Sequence, residues 1–283
     1  MSEYLDIILI SLFGTAVVGG VIASFFMKMA HRKELMEQPF PVEWQNILNK
    51  KVAIYKLLPH DLRHELHGWI NIFLDEKEFE GCGGLEITDE VRLTVAALAS
   101  VLLLNKKLDC YPKLNSILVY PSAYVAPGGP ARMGNQIVYQ EESARLGESW
   151  MHGNLVLAWD SVRYDARTFG TGHNVVIHEF AHQLDQADGV ADGIPYLSDR
   201  GEYEKWEQVI KLAYSELVEE ANAGIPDVID EYGATNPAEF FAVASETFFC
   251  CPEMMREFHP ELYQELIVFY KLDPCDWIQK KSR

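Results

Sequence analysis

Cysteine is scarce in this chain and shows no framework: five residues among 283, scattered except for the adjacent Cys250 and Cys251. An odd, irregular set argues against a secreted disulfide scaffold and for a reducing compartment. Basic residues are also in short supply, with 24 Lys and Arg against 42 Asp and Glu, for a formal charge of −18. No cluster of them offsets that field, so a phosphate backbone is repelled and nucleic acid is excluded as a partner. Internal repeats, Gly/Ser linkers and low-complexity tracts are missing too, which excludes a solenoid or a string of modules. The "GCGG" of residues 81–84 has no following Lys-Ser/Thr, so it reads as a helix-ending turn and not as a phosphate loop. Cys82, with no histidine placed beside it, is a poor nucleophile candidate.

What the chain does have begins at its N-terminus. From Ile7 to Met27 run 21 residues without a charge, enough as a helix to cross roughly 30 Å of hydrocarbon. Glu3 and Asp6 precede the run, and Lys28, His31, Arg32 and Lys33 follow it. The positive-inside rule then predicts a single-pass anchor in the inner (cytoplasmic) membrane, with the remainder facing the cytoplasm. A cleaved signal peptide would want positive charge before the apolar run and a shorter core. Ala16, Gly20 and Ser24 recur every four residues and offer a weak helix-pairing signal.

The organisation predicted is an anchor over residues 1–35, a polar tether with Pro39 and Pro41 over 36–58, and one α+β domain over 59–283. Within the domain, 59–110 reads as helical. Pro59 to Phe79 has helical apolar spacing, and Thr88 caps a second helix whose uncharged stretch from Leu93 to Asn105 is too short for a span and belongs in the core. Residues 115–160 are β-rich, with strands expected near Ile117 to Val125, Ile137 to Gln140 and Leu155 to Trp159. Helical patterns return over 173–283.

The most informative stretch is "HNVVIHEFAHQLDQADG", His173 to Gly189. On a helix, Val176, Phe180, Ala181 and Leu184 form an apolar face, while His178, His182 and Asp185 line another. Two histidines four residues apart reach a single ion, and neutral imidazole suits Zn²⁺. Glu179, about 100° further round, sits beside that ion, where a carboxylate takes a proton from water. The plain alternative is a solvated helix face. A catalytic zinc needs a third ligand and an open position; His259, Glu239 and Glu246 are the downstream candidates, and spacing does not choose among them. "YGATNPAEFFAVASETFF" predicts a helix capped by Asn236, with Pro237 in its first turn and Glu239 and Glu246 on one face. Glu239 could equally be a capping-box residue. Asp185 is placed to accept an imidazole N–H, or to serve as a helix-end charge. The strand "NLVLAW" reads as either a peptide-pairing edge or an interior strand. His152 and His173 read as surface residues with a minor chance of touching substrate, and "HELH" at 64–67 as surface.

"GHNVVIHEFAHQLD", "YGATNPAEFFAVASETFF" and "FEGCGGLEITDEVRLTVAALASVLLLN" together resemble the Mlc titration factor A family of zinc-dependent peptidases, over about residues 40 to 275. The catalytic part of that family is similar to the anthrax lethal factor protease domain, a zincin. The resemblance implies a zincin-like, gluzincin-type metallopeptidase in which His178, His182 and Glu239 hold Zn²⁺. It further implies Glu179 as general base, Tyr232 as the hydroxyl that steadies the oxyanion, and Glu246 in a supporting role. It implies a peptide or protein substrate, and as a partner a glucose-responsive transcriptional repressor. The family's usual form is soluble, and this sequence departs from it by carrying the apolar run. Three functions follow: a membrane-anchored zinc peptidase, a regulatory module of the same fold that captures a transcriptional regulator, or a zinc-stabilised structural domain, against which the base Glu179 argues.

Overall fold

The computed structural model describes residues 2–106, 109–122, 132–133, 136–137, 153–197 and 200–279. The chain forms two units, Met1–Pro39 and Phe40–Arg283. The first is one continuous helix, α1 (Ser2–Glu37), about 54 Å long at 1.5 Å per residue. Its portion Phe13–Glu37 is long and apolar enough to cross a membrane. Phe13, Val17, Val21 and Phe25 are exposed along it.

The second unit opens earlier than the sequence suggests. Residues 36–58, expected to be a tether, carry the end of α1, then α2 (Val42–Lys51) and a 3₁₀ turn at Ile54–Lys56. Leu48, Val52, Tyr55 and Leu58 recur at three- and four-residue intervals and are buried, so tertiary packing decides against a tether. Next come α3 (His60–Glu76), β1 (Glu78–Gly81), α4 (Asp89–Val101) and β2 (Ser116–Tyr120). After these follow β3 (Arg132–Met133), β4 (Gln136–Ile137), β5 (Asn154–Ala158), α5 (Trp159–Arg167) and α6 (Val175–Asp185). The chain continues through α7 (Arg200–Ala223), α8 (Pro237–Cys250), α9 (Pro252–Phe258), α10 (Pro260–Tyr270) and α11 (Cys275–Gln279). Helices dominate.

Three strands form a parallel sheet in the order β1-β2-β5, with Phe79 opposite Ile117 and Ile117 opposite Leu155. Ile117, Val119, Leu155 and Leu157 point to one buried face, as alternation requires. Among the described residues β5 is an edge, paired only with β2. The strand expected from Ile117 to Val125 is β2 as far as Tyr120; the residues after Ser122, those after Ile137 and His152 lie outside the described residues. The helix expected to run to Phe79 stops at Glu76, where Glu78 and Phe79 enter β1, and α5 went unread in the sequence. The polar "EFEG" of β1 lacks β-branched residues, and α5 shows its helical face only through buried Val162, Asp165 and Ala166. Gly83 and Gly84, at φ +60° and +85°, consequently turn the chain out of a strand and not out of a helix.

Helix α4 is the centre of the unit. Thr88 caps it, accepting from Val91 N at 3.4 Å, and every residue from Leu93 to Val101 is buried. It packs against α2, α3, α5 and α6, and α6 in turn lies against α8. That last pairing assembles the site.

Candidate metal centre

Helix α6 starts where Asn174, in extended backbone, accepts from Ile177 N through its side chain at 3.1 Å. Val176, Ile177, Phe180 and Ala181 are fully buried, with Phe180 edge-on to Tyr111 at 4.7 Å between ring centroids. The opposite stripe is buried as well: His182 is 5% exposed and Asp185 not at all. A solvated histidine face is thereby ruled out, because α8 covers it.

Helix α8 is capped as its sequence predicts, the Asn236 side chain accepting from Glu239 N at 3.0 Å with Pro237 in the first turn. Glu239 and Glu246, two turns apart on one face, take hold of the same imidazole from its two ends. Glu239 Oε2 lies 3.1 Å from His178 Nε2, and Glu246 Oε1 lies 2.7 Å from His178 Nδ1. Glu239 Oε2 is also 3.2 Å from His182 Nε2, and the two Nε2 atoms are 3.2 Å apart. Three donor atoms from two helices therefore form a nearly equilateral triangle.

The chemistry of that triangle calls for a cation. Glu246 is acceptor-only when ionised, so His178 Nδ1 carries a hydrogen, and the neutral ring then presents a lone pair at Nε2. That lone pair faces a carboxylate oxygen and a second imidazole nitrogen, a repulsive arrangement unless a positive charge sits among them. Burial works to lower the His178 pKa, but Glu246 and Glu239 outweigh it and hold it well above the ordinary histidine value. Burial likewise pushes Glu239 up, yet the two histidines beside it bring it far below the carboxylate range. A proton shared in the triangle, or a divalent ion in its place, meets the same electrostatic demand. His178, His182 and Glu239 can hold such an ion.

Other groups surround this core. Glu179 has a buried, unpartnered Oε2, and burial raises its carboxyl above the usual range against the pull of His178 and His182. Tyr232 sits on a 3₁₀ turn, Glu231–Ala234, whose first N–H groups are capped by Asp230. Its ring is 6.0 Å from that of His178. Burial, with the Glu239 and Glu179 charges, keeps the phenol protonated well above its ordinary range.

Asp185 does not touch His178. Its Oδ2 accepts from Gly193 N at 3.1 Å while Oδ1 is buried without a partner, and burial raises the carboxyl to about 6. Glu246 fixes the His178 tautomer from across the helix interface instead, a choice of packing that α6 alone does not encode. His259 is remote from the triangle; its Nε2 pairs with Asp227 Oδ1 at 2.7 Å. His173 is drawn to Glu246 Oε2 at 2.8 Å and lies 3.7 Å from Asp165 Oδ2. The bond to Glu246 raises its pKa against burial. Asp165, which accepts from Val175 N at 2.9 Å, carried no signal in the sequence.

The sequence profile of the glucose-regulated metallo-peptidase M90 family matches residues 26–271. The chain belongs to that family. A M90 relationship extends to individual relatives. An uncharacterised protein of Synechocystis is 42% identical over 248 residues, covering 86% of this chain and 88% of its own. The Mlc titration factor A of Serratia proteamaculans is 33% identical over 245 residues, 84% of this chain and 90% of its own. That of Escherichia coli O7:K1 is 31% identical over 237 residues, 82% and 86% respectively. The M90 match begins at Phe26, so nearly all of the apolar run lies ahead of it.

Proposed function

We propose that this M90 protein is a zinc-dependent peptidase of zincin type, anchored in a membrane by α1. The carrying observation is the triangle of His178 Nε2, His182 Nε2 and Glu239 Oε2 with edges of 3.1 to 3.2 Å. Ligands at 2.0–2.1 Å around a tetrahedral zinc stand about 3.3 Å apart, close to those edges. Two imidazoles and one carboxylate leave one position for water.

When bound, zinc would supply Lewis acidity, lowering the pKa of a water toward about 7 and polarising a carbonyl. The protein's own groups supply the rest. Glu179, carrying a raised pKa and an unsatisfied oxygen, accepts the proton of the attacking water and returns it to the leaving amine. Tyr232, held protonated, donates its O–H to the oxyanion that develops on the carbonyl oxygen. Glu246 keeps His178 in the tautomer that offers Nε2. An extended peptide pairing with the side of β5 that carries no strand among the described residues supplies the substrate backbone. The basic residues 28–33 after the apolar run favour a cytoplasmic domain.

Glu179→Gln tests the chemistry: hydrolysis of a peptide library should fall by at least about 100-fold while zinc content stays stoichiometric. Retained hydrolysis would remove Glu179 from the mechanism. A second reading is favoured by the relatives named Mlc titration factor A, in which the domain captures a transcriptional regulator. A regulatory effect that persists in Glu179→Gln would favour that reading.

A further inference from the structure

We infer that His173 is a positioning residue for the metal centre, acting through Glu246 to hold the ligand His178. The inference rests on the metal reading above and extends it to a residue outside the triangle.

Glu246 is only 2% exposed, and its carboxylate meets three groups in and just ahead of α6. Oε1 accepts from His178 Nδ1 at 2.7 Å, while Oε2 accepts from the backbone N–H of Asn174 at 2.5 Å and has His173 Nδ1 beside it at 2.8 Å. The carboxylate plane is thus set by two hydrogen bonds and the close approach of the His173 ring, and only His173 is free to be changed without altering the backbone or a ligand. Asp165, on α5, repeats the pattern one residue on: it accepts from Val175 N, and His173 Nε2 lies 3.7 Å from its Oδ2. The His173 ring therefore stands between two carboxylates that cap successive N–H groups at the start of α6. It is 44% exposed, whereas Glu246 and Asp165 are buried. Solvent, His173, Glu246, His178 and the metal position form one line of contacts.

Without the His173 ring, Oε2 loses the ion-pair neighbour 2.8 Å away, and the carboxylate is held only by its two hydrogen bonds. Rotation spoils the 2.7 Å contact that orients the His178 ring, so the cost appears in metal affinity. A helix-capping role alone would appear in the stability of the metal-free protein instead.

The test compares His173→Ala, His173→Asn and His173→Gln in the full-length chain in detergent, measuring zinc affinity by chelator competition and metal-free Tm. Asparagine places an amide N–H near the Nδ1 position, whereas glutamine carries it one methylene too far. Alanine and glutamine should weaken zinc binding by about tenfold, and asparagine should return it to within about threefold of wild type. Should the alanine variant fail to fold, the Asn and Gln pair still decides. Equal zinc affinity across wild type, Asn and Gln overturns the inference, as does loss of metal-free Tm with affinity unchanged. A wild type that takes up no zinc removes the metal reading and this inference together; zinc binding without hydrolysis leaves the inference standing.

Discussion

Replacing Glu239 with Gln exchanges a charged oxygen for a neutral amide at the one corner of the triangle that comes from α8. In the native arrangement that oxygen serves both His178 and His182, at 3.1 and 3.2 Å. Loss of an orienting partner outside a metal's ligands costs about 10–100-fold in affinity, so loss of a direct ligand should cost at least about 100-fold. At a zinc concentration about 1,000 times the wild-type Kd, binding stabilises the fold by about 4.1 kcal/mol. With Kd raised about 100-fold the same zinc stabilises by only about 1.4 kcal/mol. At about 2–4 °C per kcal/mol for a domain of this size, the zinc-induced rise in Tm should shrink from about 8–16 °C to about 3–6 °C. Differential scanning fluorimetry with and without zinc reads the difference directly, and Glu179→Gln, which leaves the triangle intact, should keep the full shift. A Glu239→Gln protein whose zinc-induced shift equals that of wild type would refute Glu239 as a ligand.

Two further outcomes are expected. Gly193 has φ +78°, and a Cβ there would stand 2.3 Å from the carbonyl oxygen of Pro237. Gly193→Ala should therefore cost at least about 2 kcal/mol, measured by urea denaturation, and should weaken metal binding, because Pro237 opens the helix that carries Glu239; an unchanged midpoint would contradict the close approach. The pair His259 and Asp227 should make stability depend on pH. Burial raises Asp227, but the His259 bond and Ile229 N–H pull it from 3.8 down to about 2, so its contribution is complete above pH 3.8 and is lost as pH falls toward 2. The bond to Asp227 raises His259 above 6.5 against burial, so its contribution is complete below pH 6.5 and is lost as pH rises through the higher folded value. The Tm gap between wild type and His259→Gln should be widest between about pH 4 and 6.5, and a gap independent of pH would contradict the pairing.

Several parts of this architecture are legible in the chain because they are local. Four-residue spacing puts His178 and His182 on one stripe whatever surrounds them, and Asn236 with Pro237 starts α8 by capping chemistry alone. Seven-residue spacing puts Glu239 and Glu246 on a common face. The apolar run before Lys28 is equally plain, since the length of an uncharged helix is read by counting.

What tertiary structure decided is which of these groups meet. Nothing in α6 distinguishes Asp185 from Glu246 as the partner of His178 Nδ1; the packing of α8 across α6 brings Glu246 to 2.7 Å and turns Asp185 toward Gly193. The same packing sends Glu239 to the triangle and leaves His259 on Asp227, and it places His173 and Asp165 behind the site without any motif to announce them. Residues 36–58 follow the same logic, polar enough to pass for linker until buried partners claim their apolar side chains, and Glu78 and Phe79, helical by spacing, become a strand because β2 pairs with them. Periodicity is a property of one helix, written in consecutive residues. Convergence at an ion depends on how helices far apart in sequence cross, which the whole core sets.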